Sequence, residues 1–559
     1  MTIIGRVAAL ENRPTTIDEF YFWTSRERIL NPFDVVVVEH LNSSTTYGVI
    51  EEIFHITDSS GYMGSFISND FGDPELSPPT HRIGMNYIKA KVVGNSKEIY
   101  NPVCDGSIVR LATEEEVKRA LGLSKVMNAF PCGYIQMYSY NQNEKLRIPV
   151  DFNGKFLIGP EGAHLNISGI SGLAAKTSYS MFLLKGIQHK MMLPADKRPL
   201  QDETVAFVVL NVKGRDLLAI DKPPAEGQFS EQDKKLYEAL GVNPSPFDLV
   251  KYYYPFDDDN YSNTYAATKD VQDQIGAGIG RRFKYVYEDD VDSIDLLLSS
   301  IDDSSGTMDS VCSFIQSGQG NFAPGTTRNW DSFETAVDSQ CQKGGGGSNK
   351  EIMVQSWRKF KRIITKSLRN PLFANRVDET KGEVRLATAL SKIKPNEVHV
   401  IDIAKLDETL QSYIFGDVIR CIYEKKLGKN SEENEDLPTR IIIFIDELNK
   451  YGGSDLPKNS PILRQLIDIT ERGRSLGIVL FSAEQFKSVI HARVKGNCAT
   501  HAYGRTNAIE ISQKDYSYIP SVYKNMMIRM TQGEYIVQNP VFTSPLHIRF
   551  PRPVYFQEK

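Results

Sequence analysis

The chain has 559 residues, 41% of them hydrophobic and 24% charged, with a net charge of -5 at pH 7, which is ordinary globular usage spread over about three or four domains. That charge excludes a surface coated in basic residues, so nucleic acid would have to be met by a local feature such as a channel lining. No apolar run of about 18 residues suggests a membrane span and no basic-then-apolar leader opens the chain, which points to the cytoplasm, while six singly spaced cysteines fit reduced thiols in or near cores better than a zinc site or disulfide framework.

In chain order, residues 1–125 come first. Short β-type runs at Ile3 to Leu10, Glu19 to Thr24, Asp34 to Leu41, Thr45 to Ile56, Met85 to Val93 and Ser107 to Leu111 predict a small antiparallel barrel. A helix opened by the capping box Thr113-x-x-Glu116 and running through Val117 to Leu121 leads out of it.

Residues 126–225 begin with the β-rich stretch Cys132 to Ile148 and then alternate strand and helix, as a doubly wound sheet does. His164-Leu-Asn-Ile-Ser-Gly169-Ile-Ser171-Gly172-Leu-Ala-Ala175-Lys176-Thr177-Ser178 reads as strand, turn, and a helix through Tyr179 to Leu184. In a phosphate loop, backbone N–H groups and a helix N-terminus cradle the phosphates, a lysine reaches the β and γ groups, and a hydroxyl ligates Mg²⁺. Lys176 and Thr177 suit the last two roles; Gly169, Ser171, Gly172, Ala175 and Ser178 would form the cradle. The strict spacing is broken, because Ala175 and Ile170 stand where glycines belong and Gly169 falls one residue early. Alone, the segment reads equally well as a plain strand-to-helix turn. Val205 to Leu210 is a second buried strand, and the loop after it offers Lys213 or Asp216 to a ligand, or else forms an ordinary glycine turn with a solvated charge pair.

Residues 226–380 read as a helical insertion, with helical fragments at Glu231 to Leu240, Pro246 to Tyr253, Val291 to Ile301 and Trp330 to Val337 between acidic and Ser/Gly-rich connectors. Gly344 to Ser348 is expected to be flexible, natural or engineered. The basic amphipathic helix Trp357 to Lys366 fits a solvated face better than a nucleic-acid contact.

Residues 381–559 resume the α/β rhythm at Glu397 to Ile403 and a helix through Ile419 to Tyr423. Arg440-Ile-Ile-Ile-Phe-Ile-Asp446-Glu447 then reads as a buried parallel strand ending in two carboxylates, Asp446 toward a metal and Glu447 toward a water. Such acids often only cap a helix or face solvent. Their occurrence after a phosphate-loop candidate, in the order a nucleoside-triphosphate hydrolase needs, favours chemistry. Ser460 is expected to cap the next helix, with Pro461 at its first position and Glu471-Arg472-Gly473-Arg474 at its end. The strand Gly477 to Ser482 follows, and Gln485 at its tip suits a γ-phosphate sensor, or a hydrogen-bonded loop amide.

Together the barrel, "HLNISGISG…KTS", "NVKGRDLL", "IIIFIDELNKY", "ERGRSLGIVLFSAEQ" and "GNCATHAYGRTN" resemble HerA, the hexameric DNA-translocating ATPase of the FtsK/HerA branch of RecA-like motors. The resemblance implies an α/β RecA-like P-loop ATPase core with an N-terminal antiparallel β-barrel and a helical insertion. It implies a homohexamer, a barrel for subunit and partner contacts, ATP and Mg²⁺ in sites between neighbours, and duplex DNA in the channel. By motif, Lys176 and Thr177 bind phosphates and Mg²⁺, Asp446 supports the metal, Glu447 polarises water and Gln485 senses. A trans-acting arginine would be Arg474 or Arg505, ahead of Arg472. Ala175, Asn211 and Arg215 depart from the common pattern and are similar to HerA proteins of bacterial antiviral systems, which assemble with an effector, either a nuclease or a sirtuin-like NADase. A nucleotide-binding oligomeric scaffold that activates an effector without translocating DNA is the alternative.

Overall fold

Short β-type runs rich in β-branched and aromatic residues close into an antiparallel barrel of six strands: β1 (Ile3–Val7), β2 (Glu19–Ser25), β3 (Val35–His40), β4 (Ser44–Thr57), β5 (Gly84–Asn95) and β6 (Ile108–Leu111), in the order β1-β2-β5-β4-β3-β6. Phe20, Phe22, Ile50 and Ile88 fill it. The computed structural model describes residues 3–557 apart from 60, 69–74, 76–82, 142, 171, 173–174, 259–262, 343–351 and 429–436. The Ser171 assignment and the glycine-rich segment 344–348 lie outside the described residues. The helix Glu114–Ala120 begins at the expected capping box, the Thr113 hydroxyl accepting from Glu116 N while the Glu116 carboxylate accepts from Thr113 N.

The rest of the chain builds a 14-stranded sheet. Its strands are β7 (Ala129–Met137), β8 (Leu146–Asn153), β9 (Leu165–Ser168), β10 (Val205–Asn211), β11 (Val250–Pro255), β12 (Gly280–Val286), β13 (Phe373–Ala374), β14 (Glu383–Arg385), β15 (Val398–Asp402), β16 (Arg440–Asp446), β17 (Ile478–Glu484), β18 (Thr500–Tyr503), β19 (Glu534–Gln538) and β20 (Leu546–Arg549). They run in the order β13-β12-β11-β15-β10-β16-β17-β9-β18-β19-β20-β7-β8, with β14 beside β12. Pairing is parallel from β13 through β18 and antiparallel beyond.

The parallel strands are apolar on both faces because a core lies against each. Phe207, Val209, Phe444 and Phe481 join Tyr179 and Phe182 of the helix Lys176–Met191 on one side. Val208, Ile443 and Leu480 meet the helices Glu408–Lys426 and Pro461–Leu476 on the other. The α/β core with an antiparallel N-terminal barrel is thus the architecture observed.

Two local expectations are corrected. The fragment Pro246 to Tyr253, expected to be helical, instead supplies strand β11, and with β12 and β13 it extends the parallel sheet into the region expected to be a helical insertion. Three consecutive tyrosines, Tyr252, Tyr253 and Tyr254, suit a pleated buried surface better than a helix. Pro461 does open its helix, but the Ser460 side chain makes no capping hydrogen bond. Among the described residues no helix is long and apolar enough to cross a membrane.

Candidate functional site

Parallel strands deliver their carboxyl ends to one edge of the sheet, where loops are free to shape a ligand site. Register brings Ser168 of β9 opposite Glu484 of β17, Ala483 opposite Asp446 of β16, and Asn211 of β10 opposite Asp402 of β15. The strand that leads into the phosphate-loop candidate is therefore separated from the strand of paired acids by β17 alone.

Lys176 is the first residue of the helix Lys176–Met191 and is only 5% exposed. Its Nζ donates to Gly169 O at 2.9 Å, folding the ammonium back across its own loop. Burial pulls its pKa below the ordinary lysine value, against the attraction of Asp446. The N-cap, Ala175, has φ 47° and ψ 42°, no side chain caps the helix, and its first turn carries no acid. The positive end of its dipole thus faces the loop with no acid of the first turn beside it, as suits an anion site. Gly172 is exposed at φ 78°. Ser178 is half-buried, and its Oγ accepts from Gln557 Nε2 at 3.3 Å.

Thr177 reaches across the sheet edge: its Oγ1 donates to Asp446 Oδ2 at 2.9 Å. Asp446 Oδ1 in turn accepts from Glu447 N at 2.9 Å. Glu447 sits at φ 59°, a left-handed conformation costly for a side chain of this kind. Its Oε1 is 2.6 Å from Lys213 Nζ and its Oε2 is 2.8 Å from Lys450 Nζ. Burial raises the pKa of this carboxyl, but the hydrogen bonds and charges of Lys213 and Lys450 outweigh it, so Glu447 is held ionised below the usual range.

The remaining sequence candidates are less closely gathered. Gln485 follows the end of β17 and is half-buried. Glu484, which sequence reasoning passed over, is fully buried at that strand's end and accepts a hydrogen bond from Asn166 Nδ2. Burial, only partly offset by Asn166 and by the charges of Lys487 and Lys176, pushes its pKa up to about 8. The signal was present in the sequence: an acid closing an otherwise apolar strand. Arg505 follows β18, and its carbonyl accepts from Ile170 N at 2.8 Å, which ties it to the phosphate-loop segment of the same chain. Arg472 and Arg474 lie in the last turns of the helix that precedes β17, at the opposite edge of the sheet, and both are exposed. There Arg474 Nη1 donates to Glu161 O at 3.0 Å, and Arg474 O accepts from Arg440 Nη1 at 2.9 Å.

Beside Ala175 and Ser178 opens a cavity of about 820 Å³, walled by Gln228, Leu236, Gly533, Phe550 and Tyr555 among others.

No family model matches the chain, and neither does any curated protein. Solved structures do align. The bacterial conjugative coupling protein TrwBdeltaN70 is 12% identical, with 73% of this chain and 89% of that one covered and a TM-score of 0.42. The genome packaging NTPase B204 of Sulfolobus turreted icosahedral virus 2, in complex with ATP-gammaS, is 14% identical over 30% of this chain and 72% of its own, at a TM-score of 0.22. ATPases 2 and 3 of EssC from Geobacillus thermodenitrificans are 12% identical, covering 76% of this chain and 45% of theirs, with a TM-score of 0.27. At these identities and scores the likeness assigns no function to this chain.

Proposed function

We propose that the chain is a ring-forming ATP hydrolase of the HerA type that translocates or remodels duplex DNA and assembles with an effector, a nuclease or a sirtuin-like NADase, in antiviral defence. One observation carries the hydrolase reading: Thr177 at the head of the loop helix meets Asp446 at 2.9 Å although 269 residues separate them. Lys176 lies in the same pocket of charge.

The chemistry follows from the groups present. N–H groups of the first helical turn and the Lys176 ammonium hold the β and γ phosphates. Thr177 Oγ1 and Asp446 Oδ2 are two hard oxygen donors in contact, a set that fits Mg²⁺, which takes few protein ligands and completes its shell with phosphate oxygens and water. When bound, that ion neutralises charge on the phosphates. Glu447, ionised, accepts the proton of the water whose oxygen bonds to the γ-phosphorus as the bond to the bridging oxygen breaks. The adjoining cavity is large enough for a nucleoside. A homohexamer with the barrel as its partner-docking end, DNA in the channel and an arginine supplied by a neighbour complete the reading.

The double hold on Glu447 by Lys213 and Lys450 favours a second reading, a nucleotide-binding scaffold in which hydrolysis is restrained until a partner engages.

Lys176→Ala is expected to abolish nucleotide binding, whereas Glu447→Gln should bind ATP and stop hydrolysis, because an amide can orient water but cannot take its proton. Both are read by calorimetric binding and phosphate release. Wild-type turnover by the Lys176 variant would sink the site assignment; wild-type turnover by the Glu447 variant would place the base elsewhere.

A further inference from the structure

The loop after β10 brings a third lysine into the site. Lys213 Nζ lies 2.6 Å from Glu447 Oε1 and 3.9 Å from Asp446 Oδ2, so one ammonium bridges both acids. The base of its loop is fastened. Asn211 Nδ2 donates to Gly214 O at 3.0 Å and to Asp402 Oδ1 at 2.8 Å, and the buried Asp402 carboxylate also accepts from the Thr264 hydroxyl and from Ala404 N. The Lys213 side chain itself is 43% exposed, so a flexible cation stands on a rigid footing. Lys213 is also near enough to Lys176 to disfavour that residue's charge. Two like charges converging on one space are an arrangement that an anion between them relieves.

Both oxygens of Glu447 carry an ion pair in this state. Lys213 engages Oε1 and Lys450 engages Oε2, so a water that uses the carboxylate as a base must share an oxygen with a lysine. Lys450 is three residues along the same chain segment; Lys213 is the partner that also nears Asp446 and Lys176.

We propose that Lys213 exchanges Glu447 for the terminal phosphate of a bound nucleoside triphosphate, so that the γ-phosphate both recruits a second cation and frees the carboxylate. A diphosphate presents no group at that position and leaves Lys213 on Glu447. This inference rests on the nucleotide-site reading above and gives the site its preference for a triphosphate.

Affinities for ATPγS and ADP, measured by calorimetry on the full chain, test the exchange. Lys213→Met, which keeps the apolar stem, should weaken ATPγS binding on the order of tenfold or more, the worth of a hydrogen bond to a charged group, and leave ADP binding unchanged. Glu447→Gln should tighten ATPγS binding, because the lysine no longer has to be drawn off a carboxylate, and that gain should vanish when Lys213→Met is added. Equal weakening for both nucleotides would make Lys213 a structural residue and overturn the proposal. So would an unchanged ATPγS-to-ADP ratio, or a Glu447→Gln gain that survives without Lys213. Lys213→Arg, retaining the charge, should restore part of the ratio. The Lys176→Ala variant separates the two levels: if it binds both nucleotides as wild type does, the nucleotide site is misplaced; if it binds neither while Lys213→Met leaves the ratio intact, only the exchange is wrong.

Discussion

Ala175 occupies a conformation made for glycine. At φ 47° and ψ 42° its Cβ crowds the following carbonyl, which costs roughly 1–2 kcal/mol, while a glycine there would lose about 0.5–1 kcal/mol through its freer unfolded chain. The balance favours glycine, so Ala175→Gly should stabilise the nucleotide-free protein by about 0.5–1 kcal/mol, read as a raised thermal midpoint. A lowered midpoint would mean that the Ala175 methyl packs usefully in the site. Glu484 makes a different prediction because its folded pKa, about 8, lies above the ordinary 4.5. Below the lower value folded and unfolded chains both hold the proton. Between the two values only the folded chain holds it, so this residue's contribution to stability falls as pH rises and is exhausted above about 8. Glutamine cannot ionise. Glu484→Gln should therefore gain on wild type between pH 5.5 and 7.5, by at most about 1.4 kcal/mol per pH unit, in parallel thermal melts. Midpoints that move in step across that range would show that Glu484 is ionised in the folded protein.

The elements differ in how plainly the sequence announces them, and the difference is physical. The barrel is legible as short β-type runs: Glu19–Ser25 and Ile108–Leu111 alternate buried and more exposed positions, while Val35–Val38 is buried throughout. The strand Arg440–Asp446 is buried at every position, so its unbroken apolar run and terminal acid are equally legible. Strand β11 gives neither signal. Its residues Val250–Pro255 are nearly all buried yet half of them are tyrosine and Pro246 precedes them, and only sheet neighbours on both sides, β12 and β15, decide its conformation. The candidate site divides in the same way. Lys176, Thr177, Asp446 and Glu447 stand at strand and helix ends that local pattern locates. The grip of Lys213 on Glu447 depends on β10 lying beside β16, which no local pattern encodes. Glu484 is hard to read from pattern because a charged residue is ordinarily placed outside a core; burial that pushes its pKa up to about 8 removes that objection.

At the scale of the whole molecule, the arginines sort by sheet edge. Arg505 is joined through its backbone to the phosphate-loop segment at the carboxyl edge, whereas Arg474 sits at the opposite edge, beyond the amino ends of β16 and β17. In the proposed ring, an arginine at the far edge would complete another subunit's site, and one beside the loop would serve its own. Removing a group that neutralises charge on the transferred phosphoryl costs on the order of a thousandfold, so Arg474→Ala and Arg505→Ala should each lower hydrolysis by a hundredfold or more while ATP binding persists. Mixing distinguishes them. Subunits with Arg474→Ala and an intact Glu447, combined with Glu447→Gln subunits that retain Arg474, form some interfaces in which base and arginine meet, and phosphate release should recover. The same mixture made with Arg505→Ala should stay inactive, because no single subunit then holds both Arg505 and Glu447. Recovery with Arg505 and none with Arg474 would reverse the assignment, and loss of nothing in either single variant would remove the shared site and leave the scaffold reading in its place.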